Sequence, residues 1–147
     1  MSARSPRPAA RVLLLDPEGR ILLFRFTAAG RGPFWATPGG ALDPGETYAE
    51  AARRELREEC GIDADCGAEL AQRLVEFVTL EDLPVTADER YFRVVVDDPE
   101  IVTHGHTELE RAVMREWRWF TREEISAWPE VVYPEDLTAL LDLQESP

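Results

Sequence analysis

Four glutamates and an arginine at fixed spacings are the residues of this chain best suited to chemistry. Glu46 lies in a loop, and Arg54, Glu55, Glu58 and Glu59 follow in a helical segment. Residues three and four positions apart share a helix face, so Glu55, Glu58 and Glu59 lie together with Arg54 beside them. Like charges at this spacing repel one another, and a bound divalent ion reverses that cost. The spacing therefore predicts a cation site.

The helix that must position these residues has its own start and stop signals. Thr47 and Glu50 have the pattern of a capping box, and Gly61 suits the left-handed residue that ends a helix. These signals predict a helix over residues 48–60. We expect an apolar stripe of this helix to dock on a sheet. The stripe consists of Tyr48, Ala52 and Leu56.

The alternative for the glutamates is a solvated helix face, which is the usual role of acidic runs. The loop before the helix argues against it. Pro38-Gly39-Gly40 and Asp43-Pro44-Gly45-Glu46 contain turn residues that let backbone carbonyls approach whatever the helix binds. Loop and helix together are predicted to form one site.

The same segment resembles a known family motif. The pattern G-x5-E-x7-R-E-U-x-E-E-x-G-U, with U apolar, is the Nudix box, and this chain fills every defined position of it. The matching residues are Gly40, Glu46, Arg54, Glu55, Leu56, Glu58, Glu59, Gly61 and Ile62. The chain is identified as resembling the Nudix hydrolases, and its flanking segments 35–40 and 117–125 are also similar to the family.

The resemblance implies an α/β fold, the Nudix α/β/α sandwich with a mixed β-sheet. It also implies metal-dependent hydrolysis of a diphosphate bond in a nucleoside diphosphate linked to another moiety. Candidate substrates are nucleoside triphosphates, nucleotide sugars, ADP-ribose and dinucleoside polyphosphates. The alternative is a non-catalytic Nudix-fold module that binds or senses a nucleotide. Such a module is expected to lose box carboxylates, and this chain keeps them all.

Mg²⁺ or Mn²⁺ is the predicted cofactor, because hard cations prefer carboxylate, carbonyl and water oxygens. Glu58 and Glu59 are the leading ligands. By resemblance, Glu55 is a further ligand or the general base, and the Gly39 carbonyl completes the metal shell. Arg54 is expected to hold the glutamates in place by charge-assisted hydrogen bonds.

The resemblance further implies a carboxylate outside the box. Glu108 and Glu110 both lie in the matching region, and we assign Glu110 to the metal while Glu108 stays open. His104 and His106 flank a glycine in the same region. Two loop histidines without further ligands are more often solvent-exposed than metal-bound.

Three residues outside the box are candidates for contact with the substrate: Arg25 and Trp35 precede the box, and Arg93 follows it. Arg25 and Arg93 lie on predicted strands from which a side chain can reach a phosphate, although outward-facing strand arginines are common. Trp35 can stack on a nucleobase, with core packing as its alternative.

Composition limits the partners. The chain has 147 residues and a net charge of −13, and all its basic residues are arginines. Phosphate backbones and anionic membranes are held by clustered basic residues, so we expect a small nucleotide-type substrate and no nucleic acid or membrane partner. The absence of lysine excludes Schiff-base chemistry. A cytoplasmic location is the default, and a homodimer is possible.

The sequence also predicts the domain organisation and the approximate positions of the strands and helices. Residues 1–10 are expected to be a flexible N-terminal segment, and residues 11–147 a single Nudix hydrolase domain. Hydrophobic runs and turn signals predict the remaining elements. The predicted strands are 11–15, 20–26, 34–37, 69–80, 90–96 and 112–120, and the further helices are 123–127 and 134–142.

Overall fold

The computed structural model describes residues 4–27, 30, 32–79, 82–102, 108 and 114–143. One mixed sheet of eight strands runs through these residues, with helices on both faces. The strands are β1 (Ser5–Leu15), β2 (Ile21–Phe26), β3 (Phe34–Ala36), β4 (Gly39–Ala41), β5 (Glu69–Val78), β6 (Pro84–Val95), β7 (Met114–Phe120) and β8 (Val131–Tyr133). The helices are α1 (Tyr48–Cys60), α2 (Arg122–Ala127) and α3 (Leu137–Leu141). The predicted α/β/α sandwich is confirmed.

β1 organises the sheet. It pairs in parallel with β6 along its whole length, and it pairs antiparallel with β4, where Arg11 lies opposite Gly39. β2 pairs with β1 only at Leu15 and Ile21 and continues into a second half of the sheet with β3, β7 and β8. The two strands that were predicted over residues 11–15 and 20–26 therefore pair with each other only next to their connecting turn.

Alternate residues of β1 serve two different cores, because successive side chains of a strand point to opposite faces. Val12 and Leu14 pack with α1 through Ala52 and Leu56. Leu13 and Leu15 belong to the second cluster, to which α3 contributes its leucines. The predicted docking of the α1 stripe on the sheet is confirmed, with Tyr48 packed against the edge of this first core.

The boundaries of α1 match the prediction because its signals are local. The Thr47 side chain accepts a hydrogen bond from the Glu50 amide, and the Glu50 carboxylate accepts one from the Thr47 amide. Gly61 ends the helix in the left-handed conformation with φ 72°. Local hydrogen bonding thus fixes where the box helix begins and ends.

Several other boundaries were predicted wrongly. Residues 5–10, assigned to a flexible segment, form the first half of β1, and β6 begins at Pro84 rather than at residue 90. Both stretches contain proline and charged residues, yet each supplies the ladder partner of the other. α3 begins at Leu137 rather than at Pro134, and the short strands β4 and β8 were not predicted. Strands as short as these gain their stability from neighbouring strands, which the local sequence does not reveal.

Candidate active site

Arg54 is the hub of the box. Its Nε and Nη2 donate to the two carboxylate oxygens of Glu46, each at 2.9 Å. Its Nη1 donates to Glu55 at 2.9 Å and to Glu58 at 3.2 Å, and its Nη2 also donates to the Ala41 carbonyl at 3.0 Å. One guanidinium therefore joins the loop before α1 to two glutamates on the helix.

The hydrogen bonds between Arg54 and Glu46 shift the pKa values of both side chains. The hydrogen bond from Arg54 holds the pKa of Glu46 below its ordinary value, so Glu46 is ionised at neutral pH. The hydrogen bond to Glu46 is the largest of the contacts that raise the pKa of Arg54. Glu46 thus anchors the arginine, which is a structural rather than a metal-binding role.

The glycines of the β3–β4 segment let the glutamates approach the backbone. The Gly39 amide donates to the Glu59 carboxylate at 2.9 Å. A Cβ atom built on Gly40 would lie 2.6 Å from Oε1 of Glu55, so a side chain there would displace this carboxylate. Glu55 and Glu59 are consequently buried against the loop, whereas the Glu58 side chain is 41% exposed.

A cavity of about 1170 Å³ opens beside these residues. One end of it carries Gly39, Gly40, Glu55, Glu58 and Glu59. The rest lies between the two halves of the sheet and is lined by β1, β5 and β6 on one side and by β2, β3 and β8 on the other. A nucleotide-sized molecule fits a volume of this order.

Two arginines of β1 that were not predicted from the sequence to be site residues line the cavity. Arg7 and Arg11 lie four residues apart on the same face of the strand, and both line the cavity. Arg11 donates from Nε to the Glu89 carboxylate of β6 at 2.9 Å. Arg73 of β5 lines the cavity as well and is paired with Asp136 just before α3, with 2.8 Å between Nε and Oδ2. The spacing of Arg7 and Arg11, four residues apart, was the available signal, once that segment is known to be a strand.

The donor set fits a hard divalent cation, because three carboxylates and two glycine backbones line one end of one cavity. Among the described residues, no three acidic, histidine or cysteine side chains form a ready-made metal site. The protein's own donors, Arg54 and the Gly39 amide, hold the carboxylates instead. The roles assigned to Glu55, Glu58, Glu59, Arg54 and Gly39 stay predictions.

The residues predicted to contact the substrate lie elsewhere. Arg25 donates through Nε and Nη2 to both oxygens of Glu130, at 2.9 and 2.7 Å, and Trp35 donates from its indole to the same carboxylate at 2.8 Å. Trp35 is 2% exposed and packs edge-to-face on Phe120 in the second core. Neither residue lines the cavity described above, and their assignment to the substrate is corrected to a structural role.

The remaining candidates are Arg93 on β6 and the glutamates and histidines of residues 104–110. Arg93 lies opposite Leu13 in the β1–β6 ladder, beyond the part of β1 that faces the cavity, and it does not line the cavity. Its assignment to the substrate stays a prediction. Glu110, His104 and His106 lie outside the described residues, whereas Glu108 is described and exposed.

The comparison with protein families identifies the class. The NUDIX domain model matches residues 5–141, so the chain belongs to the Nudix family. An RNA pyrophosphohydrolase of Novosphingobium aromaticivorans is 29% identical over 142 residues, covering 87% of this chain and 83% of that protein. An RNA pyrophosphohydrolase of Caulobacter vibrioides is 30% identical over 142 residues, covering 87% of this chain and 77% of that protein. The chain is a Nudix pyrophosphohydrolase.

A solved structure of another protein shares the fold. The crystal structure of a MutT protein from Methanosarcina mazei superposes with a TM-score of 0.66 at 23% identity, covering 97% of this chain and 94% of that one. Nudix hydrolases generally require a divalent metal. No helix among the described residues has the length and apolar character needed to cross a membrane.

Proposed function

We propose that this protein hydrolyses a diphosphate bond within a nucleotide-type small molecule, with Mg²⁺ or Mn²⁺ as cofactor. The observation that supports this function is the joining of a complete Nudix box to one end of a nucleotide-sized cavity. A nucleotide lying in that cavity presents its phosphates to Glu55, Glu58 and Glu59.

We assign each box residue a role in the proposed reaction, using its contacts as support. Glu58 and Glu59, with Glu55, would hold the cation, which neutralises the phosphate charge and orients the attacking water when bound. Glu55 is also the candidate for the general base, because it is buried and lies against Gly40. Arg54 positions Glu55 and Glu58 by donating to both.

The proposal is tested by measuring phosphate release with and without Mg²⁺ or Mn²⁺. The substrate panel contains nucleoside triphosphates, ADP-ribose, nucleotide sugars and dinucleoside polyphosphates. Glu59→Gln is expected to lower kcat by at least about a hundredfold, because the amide cannot hold the cation as a carboxylate does. The amide oxygen can still accept the Gly39 hydrogen bond, so the variant should stay folded.

Glu123→Gln is the matched control, since Glu123 is exposed on α2, and it should retain the wild-type rate. Near-normal turnover by folded Glu59→Gln would remove Glu59 from the mechanism. Metal-dependent binding of nucleotides without cleavage of any member of the panel would instead support the sensor alternative.

A second candidate substrate is the 5′ end of RNA, which the names of the two relatives suggest. The net charge of −13 disfavours long-range attraction of RNA. Several described arginines that flank the cavity are also already paired with carboxylates, such as Arg11 with Glu89 and Arg73 with Asp136. Adding a 5′-triphosphorylated oligoribonucleotide to the panel decides between the two: kcat/KM above that of every free nucleotide would favour RNA.

A further inference from the structure

The floor of the cavity contains a mostly buried ion pair that the box chemistry does not use. Arg11 and Glu89 face the cavity from neighbouring strands β1 and β6, with 2.9 Å between Nε and Oε2. Their side chains are 18% and 9% exposed. Residues one step further along the same face, Leu13 and Tyr91, are apolar or aromatic and belong to the second core. The pair therefore marks the point where the cavity floor ends.

Burying such a pair costs free energy, which the attraction between its members does not always recover. Burial disfavours the charge of Arg11, but Glu89 keeps the pKa of Arg11 above its ordinary value, so the guanidinium stays protonated. Among the described residues, Arg11 donates only to Glu89 and, at 3.4 Å, to the Thr37 carbonyl. Glu89 accepts from Arg11 and, at 3.5 Å, from the Tyr91 hydroxyl. A guanidinium has five N–H donors and a carboxylate about four acceptor positions, so both groups keep hydrogen-bonding capacity on the side of the cavity.

The pair is poorly suited to holding a phosphate, because its net charge is zero. It instead offers donors and acceptors side by side, which is what the edge of a nucleobase requires. The cavity also has aromatic walls that can hold a planar ring. Phe26 and Phe34 are stacked at 5.1 Å between ring centroids, and Tyr133 meets Phe34 edge-on at 5.6 Å. On the opposite side the wall is formed by Phe77 of β5.

We propose that the cavity between the sheet halves binds the nucleobase of the substrate and that Arg11 and Glu89 read its hydrogen-bonding edge, with guanine preferred. This inference rests on the proposed function in taking the substrate to be a nucleotide. Arg11 donates to the O6 carbonyl of guanine, and Glu89 accepts from N1–H and from the N2 amino group. Guanine donates two hydrogen bonds to the Glu89 carboxylate, from N1–H and N2–H, whereas adenine, cytosine and uracil can donate only one.

Hypoxanthine separates the contributions, because it has the carbonyl and the N1–H of guanine but no N2 amino group. The wild-type protein is expected to bind GMP at least about tenfold more tightly than AMP, CMP or IMP, because only guanine donates two hydrogen bonds to Glu89. The measurement is calorimetric titration of the monophosphates. These molecules contain no diphosphate bond, so the base preference is obtained independently of hydrolysis.

Glu89→Gln should reduce the ratio of AMP to GMP dissociation constants by about tenfold, since an amide offers one acceptor and a donor that opposes N1–H. Asp88→Asn is the matched control. Asp88 is the neighbouring residue on β6, and its carboxylate bonds to Arg90, Tyr48 and Gln72 rather than facing the cavity. The control should leave the base preference unchanged.

Removing one partner of a buried pair can unfold a protein, so thermal unfolding accompanies each titration. The double change Arg11→Gln with Glu89→Gln leaves no unpaired charge and should likewise abolish the preference for guanine. Equal binding of all bases by the wild-type protein, tighter binding of AMP or CMP, or no binding of any monophosphate overturns the proposal. A guanine preference that survives in folded Glu89→Gln also overturns it.

The experiments distinguish failure of the base-pocket proposal from failure of the proposed catalytic function. Guanine-selective binding without cleavage of any diphosphate would leave the base pocket standing and reject the catalytic proposal. Metal-dependent cleavage with equal kcat/KM for GTP, ITP, ATP and CTP would support the catalytic proposal and reject the base pocket.

Discussion

Gly39 is the residue on which the contact between loop and helix depends most directly. It lies opposite Arg11 in the β1–β4 ladder with φ 145°, and its amide donates to Glu59. A Cβ atom there would lie 2.2 Å from the Ala10 carbonyl oxygen and 2.8 Å from the Arg11 Cα atom. A side chain at this position would separate the strand from the loop that positions the carboxylates.

Gly39→Ala is therefore expected to lower the free energy of unfolding by about 3 kcal/mol or more, because backbone strain and a steric clash add. Gly45→Ala is the control. Gly45 also has a positive φ, 80°, but a Cβ atom added there would have nothing within 4 Å. It should cost about 1–2 kcal/mol. Equal losses in urea unfolding would mean that the contacts at Gly39 relax at little cost.

The helix α1 brings the box residues together because its ends are fixed by side chains and by a glycine. Thr47 begins it with a capping box, and Gly61 ends it by donating its amide to the Arg57 carbonyl. α2 begins in the same way, with Thr121 and Glu124 in the two capping positions. In both cases the capping residues satisfy backbone amides that have no partner inside the helix.

Thr47→Ala is expected to lower the free energy of unfolding by about 1 kcal/mol, because the Glu50 amide loses its acceptor. Thr47→Ser keeps the hydroxyl and should change the stability by only a few tenths of a kcal/mol. Urea unfolding at neutral pH measures both variants. A serine variant as unstable as the alanine variant would show that the threonine methyl group, rather than the cap, carries the effect.

At the level of the whole molecule, one carboxylate joins distant parts of the chain. Glu130, between α2 and β8, accepts from Arg25 of β2 and from Trp35 of β3. These hydrogen bonds, led by that of Arg25, lower the pKa of Glu130 to about 2 from an ordinary value of 4.5. The ionised form is therefore favoured by folding, and protonation of Glu130 weakens the folded state.

The sign of the pH dependence follows. The contribution of Glu130 is fully present above its ordinary pKa of 4.5 and is lost as pH falls toward its folded value of about 2. Glu130→Gln should therefore show a shallower decline in unfolding free energy across this acidic range than the wild-type protein, as measured by urea unfolding. Glu100→Gln, at an exposed position, should leave the slope unchanged. Identical slopes for wild type and Glu130→Gln would reject this role.

The sequence by itself determined the box, the helix that carries it and the class of chemistry. Thr47, Glu50 and Gly61 define α1 through contacts within a few residues, and the spacing of the glutamates follows from helix geometry alone. Such local signals can be recognised in the sequence without knowledge of the fold. The family identification rests on the same segment and is confirmed by the match over residues 5–141.

Only the tertiary structure decided which side chains surround the cavity. Arg25 and Trp35 were candidates by type, yet Glu130, far along the chain, pairs with both. Arg11 was not a candidate, yet the parallel ladder between β1 and β6 places it beside Glu89 in the cavity floor. Whether an arginine meets a substrate or a carboxylate of its own protein depends on strand pairing between distant segments, and no pattern of neighbouring residues encodes that pairing.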